Sequence, residues 1–129
     1  VILVDSSVWI QLLRGQRTAA TVKLEDMAGS EPLLVGDLIL LEVLQGARDD
    51  AHAARIERNL RRYTVARLLD PNLAPVAARN YRALRELGIT VRKTADIIIG
   101  TFCIVHGHAL LHDDRDFRPM EEHLGLKVA

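Results

Sequence analysis

Four acidic side chains stand where a carboxylate is costly or well placed for chemistry. Asp5 ends the apolar run Val1 to Val4, and Glu42 interrupts the apolar stretch Leu38 to Leu44. Asp96 directly precedes Ile97, Ile98 and Ile99, and Asp114 follows the apolar run Ala109 to Leu111, with Asp113 before it and Asp116 after it. Each has a plain structural explanation. Asp5, Asp96 and one of Asp114 or Asp116 can be helix N-caps, and Glu42 can lie on a polar edge with Gln45 and Gly46. Caps explain such positions one at a time; they do not explain four acidic sites at or inside apolar elements of one short chain. If the four converge, their repulsion raises their pKa values unless a cation is present. A hard divalent ion with oxygen ligands resolves that repulsion, and Mg²⁺ keeps waters for a phosphate-bearing substrate. Arg92 and Lys93 offer the alternative of neutralising the cluster internally.

The elements that must position these groups are legible from apolar runs and stop signals. Val1 to Val4 reads as a strand buried on both faces, and Ser6 or Ser7 can cap a helix that ends near Gly15. Further helices are expected over Thr18 to Ala28, Leu38 to Leu44 with Asp37 as cap, Ala51 to Arg62, Pro71 to Leu87, Thr94 or Asp96 to Val105, and Asp116 to Leu124. Strands are expected at Pro32 to Val35, Tyr63 to Leu68, Ala109 to Leu111 and, on an edge, Leu126 to Val128. The isoleucines of Ile97 to Val105 also favour a strand, but about a dozen residues from cap to Gly107 decide for a helix. On that helix Asp96 shares a face with Gly100, Cys103 and Gly107, small residues that let another element approach. Short strands alternating with helices predict an α/β fold, a three-layer α/β/α sandwich around a short parallel sheet, over one domain spanning residues 1–129. In such sheets ligands bind beyond the carboxyl ends of the strands, where Asp5 and Asp114 fall.

The chain of 129 residues can hold a core without staples, and its one Cys forms no internal disulfide. No apolar run approaches a membrane span, so a soluble cytoplasmic protein is expected. Its 17 basic and 17 acidic residues cancel. The balance hides two opposed parts: residues 51–93 carry ten basic and three acidic side chains, a surplus of seven, and the rest carries the opposite deficit. Within the basic part, Arg55, Arg58 and Arg61, and separately Arg79, Arg82 and Arg85, recur at i, i+3, i+6 and draw a stripe along a helix. Such stripes suit an RNA backbone, or are solvated faces with pairs such as Glu57 with Arg61.

Leu3-Val4-Asp5-Ser6-Ser7, Glu42 in an apolar helix, Asp96 opening an Ile-rich helix and Asp114-Arg115-Asp116-Phe117 after an apolar strand together resemble the PIN domain, most closely its VapC toxin branch. No single motif is specific; their order, spacing and context are, over the whole chain. The resemblance implies a metal-dependent endoribonuclease that cuts structured RNA, tRNA or rRNA, to halt translation. It also implies a small antitoxin whose tail covers the site, and a homodimer that forms a heterotetramer or larger assembly with it. By the same resemblance Asp5, Glu42, Asp96 and Asp114 carry a Mg²⁺ cluster, Mn²⁺ substituting, with Asp116 as a fifth acidic ligand. Ser7 would hold a carboxylate or the scissile phosphate. The family more often has Thr where Ser6 stands. Asp114 is chosen over Asp113 because it fits the D-x-D-F frame.

Phosphodiester hydrolysis needs a nucleophile, neutralised phosphate charge and a stabilised leaving oxygen, and divalent ions supply all three. The expectation is that Asp5, Asp96 and Asp114 bind one ion while Glu42 positions the attacking water or helps hold a second. Arg79, Arg82, Arg85 and Arg92 are the candidates for the RNA backbone. Trp9 and Phe102 are expected in the core, as is Cys103, so base stacking would not dominate recognition. His106, His108 and His112 raise a zinc site, but a helix stop and a strand start between them scatter the side chains. A receiver-type signalling domain lacks support, because Asp5 is followed by two serines and no Lys lies between Lys93 and Lys127. A PIN-like module that binds RNA or protein without cutting is the remaining alternative.

Overall fold

The computed structural model describes residues 1–129. Five parallel strands form one sheet in the order β3-β2-β1-β4-β5: β1 (Ile2–Val4), β2 (Leu33–Gly36), β3 (Thr64–Ala66), β4 (Ala109–Leu111) and β5 (Lys127–Val128). Helices α1 (Ser6–Leu13), α2 (Ala19–Met27), α3 (Asp37–Gln45), α4 (Asp50–Leu60), α5 (Leu73–Glu86), α6 (Thr94–His106) and α7 (Arg118–His123) connect and flank it, giving the expected α/β architecture. The apolar, β-branched β1 is central and wholly buried, the place for a strand with no polar face. Leu3, Val4, Val35, Leu110 and Leu111 from the three middle strands form the floor of one core, closed by Val8, Ile39, Ile99, Phe117 and Met120. Trp9, Phe102 and Cys103 belong to it too, as expected.

The expected strands and helices all form, with instructive shifts at their ends. Asp96 is not an N-cap: α6 begins two residues earlier, after Lys93, so Asp96 sits in its first turn. Asp37 is likewise inside α3, whose cap is Gly36, and its Oδ1 accepts from the Leu68 backbone N–H at 3.1 Å, tying α3 to the segment after β3. α5 starts at Leu73 rather than Pro71 because the Asp70 Oδ1 receives the N–H groups of Asn72 (2.8 Å) and Leu73 (2.7 Å) and holds Pro71 in a turn. The last helix is split into a 3₁₀ turn over Arg115–Phe117 and α7.

Two close approaches set the site. Parallel pairing of Val4 with Leu111 brings the carboxyl ends of β1 and β4 side by side, and the Asp5 N–H donates to the Leu111 carbonyl at 2.9 Å. The buried Met120 of α7 rests on Gly100 of α6, where any Cβ would collide with its sulfur. The small face foreseen on the Ile-rich helix therefore receives α7, and with it the turn that carries Asp114 and Asp116.

Candidate active site

Asp96, Asp114 and Asp116 each offer a carboxylate oxygen within 4.8 Å of the others. Asp96 comes from the first turn of α6, and Asp114 caps the 3₁₀ turn, its Oδ1 accepting from the Asp116 N–H at 2.9 Å. This local bond folds the segment so that Asp114 and Asp116 share one side. Asp113 goes elsewhere: it is exposed, and its Oδ2 accepts from Gln11 Nε2 at 2.7 Å. Of the two neighbours, Asp114 is the one whose carboxylate lies with Asp96 and Asp116.

Asp5 is both cap and buried acid. It is 3% exposed, and its Oδ2 accepts from the Ser7 N–H (3.1 Å) and the Ser7 hydroxyl (2.6 Å). The Ser7 Oγ in turn accepts from the Asp113 N–H at 3.1 Å, so one hydroxyl joins the carboxyl ends of β1 and β4. Of the two roles considered for Ser7, holding a carboxylate is the one the geometry displays. Burial raises the Asp5 carboxyl above its ordinary 3.8 despite these bonds.

Glu42 is half-buried, with Oε1 enclosed and without a hydrogen-bond partner. Its pKa is raised by burial and then by the Asp5 charge, with the Ser6 hydroxyl and Lys93 acting against both. Asp96 is the most perturbed: 5% exposed, with an enclosed Oδ2 that nothing donates to, it is pushed up to about 7. Burial is the main cause, Lys93 opposes it, and Asp5, Asp114 and Glu42 each add to it. All four expected acids thus share one field, while the tightest group is Asp96, Asp114 and Asp116; Asp5 is turned back onto Ser7.

The internal neutralisation considered for Arg92 and Lys93 is slight. Lys93 stands 3.8 Å from Asp114 Oδ2 with its side chain 60% exposed, and Arg92 makes no ion pair. The three histidines do not assemble a zinc site: His106 and His108 stack with centroids 5.9 Å apart, whereas His112 Nδ1 receives the Asp114 N–H and its Nε2 faces Glu121 at 3.3 Å. His112 therefore positions the Asp114 backbone, a role the sequence reading missed. Arg61 pairs with Glu57 at 2.7 Å, the solvated-face alternative for its stripe. Arg79, Arg82 and Arg85 are exposed along α5; Arg82 borders an apolar groove with Tyr81 and Ile98, and the Arg85 guanidinium lies 6.0 Å from the Tyr81 ring.

The model of the PIN domain matches residues 2–122. VapC ribonuclease Mb1587 of Mycobacterium bovis and ribonuclease VapC11 of Mycobacterium tuberculosis are each 30% identical to the chain over 131 residues, covering 100% of it and 98% of the relative. Among solved structures, VapBC2 from Rickettsia felis bound to a promoter DNA fragment superposes with a TM-score of 0.80 at 11% identity, over 99% of this chain and 96% of that one. FitAB bound to a DNA fragment superposes at 0.79 with 17% identity, over 100% and 94%. Fold and full-length similarity agree, and the chain belongs to the PIN-domain family, among the VapC ribonucleases.

Proposed function

We propose that residues 1–129 act as a single nuclease domain, the toxin of a toxin–antitoxin pair, hydrolysing phosphodiester bonds in structured RNA such as tRNA or rRNA with Mg²⁺ or Mn²⁺. The observation that carries this reading is the gathering of Asp96, Asp114 and Asp116 within 4.8 Å, with Asp5 and Glu42 in the same field. The donor set fits a hard cation. It is all oxygen, it has two enclosed, unpartnered carboxylate atoms on Asp96 and Glu42, and its only ion pair is the 3.8 Å contact of Lys93 with Asp114. When bound, such an ion neutralises phosphate charge and acidifies water.

Asp96, Asp114 and Asp116 would hold the ion, with Asp5 completing the acidic wall and Ser7 fixing the Asp5 carboxylate by its 2.6 Å bond. Glu42, whose Oε1 has no partner, orients the attacking water or helps hold a second ion. As water adds to phosphorus, one ester bond breaks and the leaving oxygen takes up a proton. Arg92 stands beside the cluster, and Arg79, Arg82 and Arg85 supply longer-range attraction for the backbone. The partner is a small antitoxin whose tail covers the acidic site, on a toxin homodimer, a reading supported by fold relatives solved as VapBC and FitAB complexes. No helix is long and apolar enough to cross a membrane, which accords with work on cytoplasmic RNA.

Purified protein given total tRNA and rRNA should cleave with Mg²⁺ or Mn²⁺ and stop in EDTA. Asp5→Asn and Asp96→Asn proteins should fold and be inactive. Full activity in EDTA, or in either variant, would overturn the reading and favour the non-cleaving alternative.

A further inference from the structure

The cations nearest the acidic cluster are not those of the α5 stripe. A cleft of about 610 Å³ lies between the Ile89–Lys93 segment and the turn carrying Asp114 and Asp116, and its cations are Arg92, Lys93, Arg115 and Arg118. A second cleft of about 540 Å³, bordered by His112, Glu121 and Val128, shares Asp114, Arg115 and Arg118 with the first. Two open clefts therefore meet at Asp114, and Arg115 and Arg118 form the wall common to both.

Both arginines are exposed, and neither has a carboxylate within 4.0 Å, although Asp114, Asp116, Glu121 and Glu122 line the same clefts. A guanidinium among acids that pairs with none keeps its donors free for a planar, doubly accepting group, which is what a phosphate offers. No Phe, Tyr or Trp lines either cleft, so a strand lying there is held by its backbone rather than by stacked bases. Each cleft has the size of a small-molecule pocket, enough for a short stretch of single strand.

We propose that single-stranded RNA crosses both clefts, with the scissile phosphate at Asp96, Asp114 and Asp116 and the adjoining phosphates held by Arg115 and Arg118. This rests on the ribonuclease reading and names the binding groups that reading leaves open.

The test uses the full chain carrying Asp96→Asn, so that RNA is not consumed, and a fluorescein-labelled 12-nucleotide RNA followed by anisotropy from 50 to 300 mM KCl. Each phosphate contact to a single strand contributes about 0.7 to the slope of log affinity against log salt. Arg115→Gln with Arg118→Gln should flatten that slope by about 1.4 and raise Kd at 50 mM salt at least tenfold. Arg79→Gln with Arg82→Gln should change both by less than half as much. Unchanged Kd and slope in the Arg115/Arg118 protein, or an equal loss in the Arg79/Arg82 protein, overturns the proposal. So does intact RNA affinity with lost binding of a poly-glutamate decamer, which would make the clefts an acidic-peptide site. The two readings separate in an Mg²⁺ assay of chains with Asp96 intact. If the unsubstituted chain cleaves and the Arg115/Arg118 variant matches its kcat/KM, the proposal fails and the nuclease reading stands. If the unsubstituted chain cleaves nothing while binding still depends on both arginines, the nuclease reading fails and the RNA cleft stands.

Discussion

Replacing Asp96 with Asn should stabilise the metal-free protein while abolishing cleavage. In the folded chain the Asp96 carboxyl titrates near 7, against 3.8 for the free group, because it is buried beside three other acids. Below about pH 4 both folded and unfolded forms are protonated and the site costs nothing extra. Between about pH 4 and 7 the unfolded chain has released this proton while the folded one retains it. Stability therefore falls as pH rises through that window and levels off above it. At 1.36 kcal/mol per pH unit, the rise from 3.8 to about 7 is worth about 4 kcal/mol, a large share of the roughly 5–15 kcal/mol that hold a domain folded. Asp5 and Glu42 are shifted the same way and deepen the trend. The lowered carboxyls of Asp49 and Asp70 act below their usual range and leave the pH 5–8 interval untouched. Asn keeps the shape of the protonated acid and removes the charge. Urea denaturation in EDTA should thus show the parent losing stability from pH 5 to 8 and the Asn variant losing much less, with an advantage approaching 4 kcal/mol at pH 8. Mg²⁺ should narrow that gap to about 1 kcal/mol, since an ion at a hundred times its Kd adds about 2.7 kcal/mol to a protein that binds it. A parent whose stability is flat over pH 5–8, or an Asn variant no more stable than the parent at pH 8 in EDTA, would refute the electrostatic account.

Ser7→Ala removes the 2.6 Å bond to Asp5 and the acceptor for the Asp113 N–H, and should cost about 1–3 kcal/mol of stability by the same denaturation. Its kcat should fall at least tenfold, and Ser7→Thr, which keeps the hydroxyl, should restore most of both. Gly100→Ala places a Cβ against the Met120 sulfur and should destabilise by about 1–3 kcal/mol, with cleavage reduced because α7 and the Asp114 turn are pushed off α6. Asp114→Asn should abolish cleavage, whereas Asp113→Asn, changing a group bonded only to Gln11, should stay within a few-fold of the parent in the same assay.

The sheet and its helices were readable because the three middle strands are apolar runs bounded by stop signals, and because Gly107 and its left-handed turn end the Ile-rich helix where the pattern indicates. The errors fall at caps. Asp37, Asp70 and Asp96 are all acids near helix starts, and sequence does not say which one turns back onto its own helix. Asp70 does, Asp37 takes the Leu38 N–H of its own helix and also reaches across to Leu68, and Asp96 is carried inside the first turn and buried. Part of that difference is tertiary, since the Leu68 N–H that Asp37 receives lies 31 residues along the chain. The acidic set stood out only as a set: a cap explains Asp96 taken alone, but caps do not explain four acids at or inside apolar elements of one short chain. Arg115 and Arg118 were missed although they interleave with Asp114 and Asp116, because charge counted by segment assigns them to the acidic part of the chain.

Counting by segment also misplaces the positive surface. Arg92 and Lys93 come from the basic part and Arg115 and Arg118 from the acidic part, yet all four line one cleft beside the cluster. Without an ion, the three gathered carboxylates face a polyanion with their own charge, and the arginines offset it only in part. A divalent ion offsets two negative charges there, leaving four cations at the rim against a less negative floor. RNA and metal must then favour each other's binding, and by the same factor, because both act on one electrostatic free energy. A site built this way holds its substrate more strongly once it is loaded to cut.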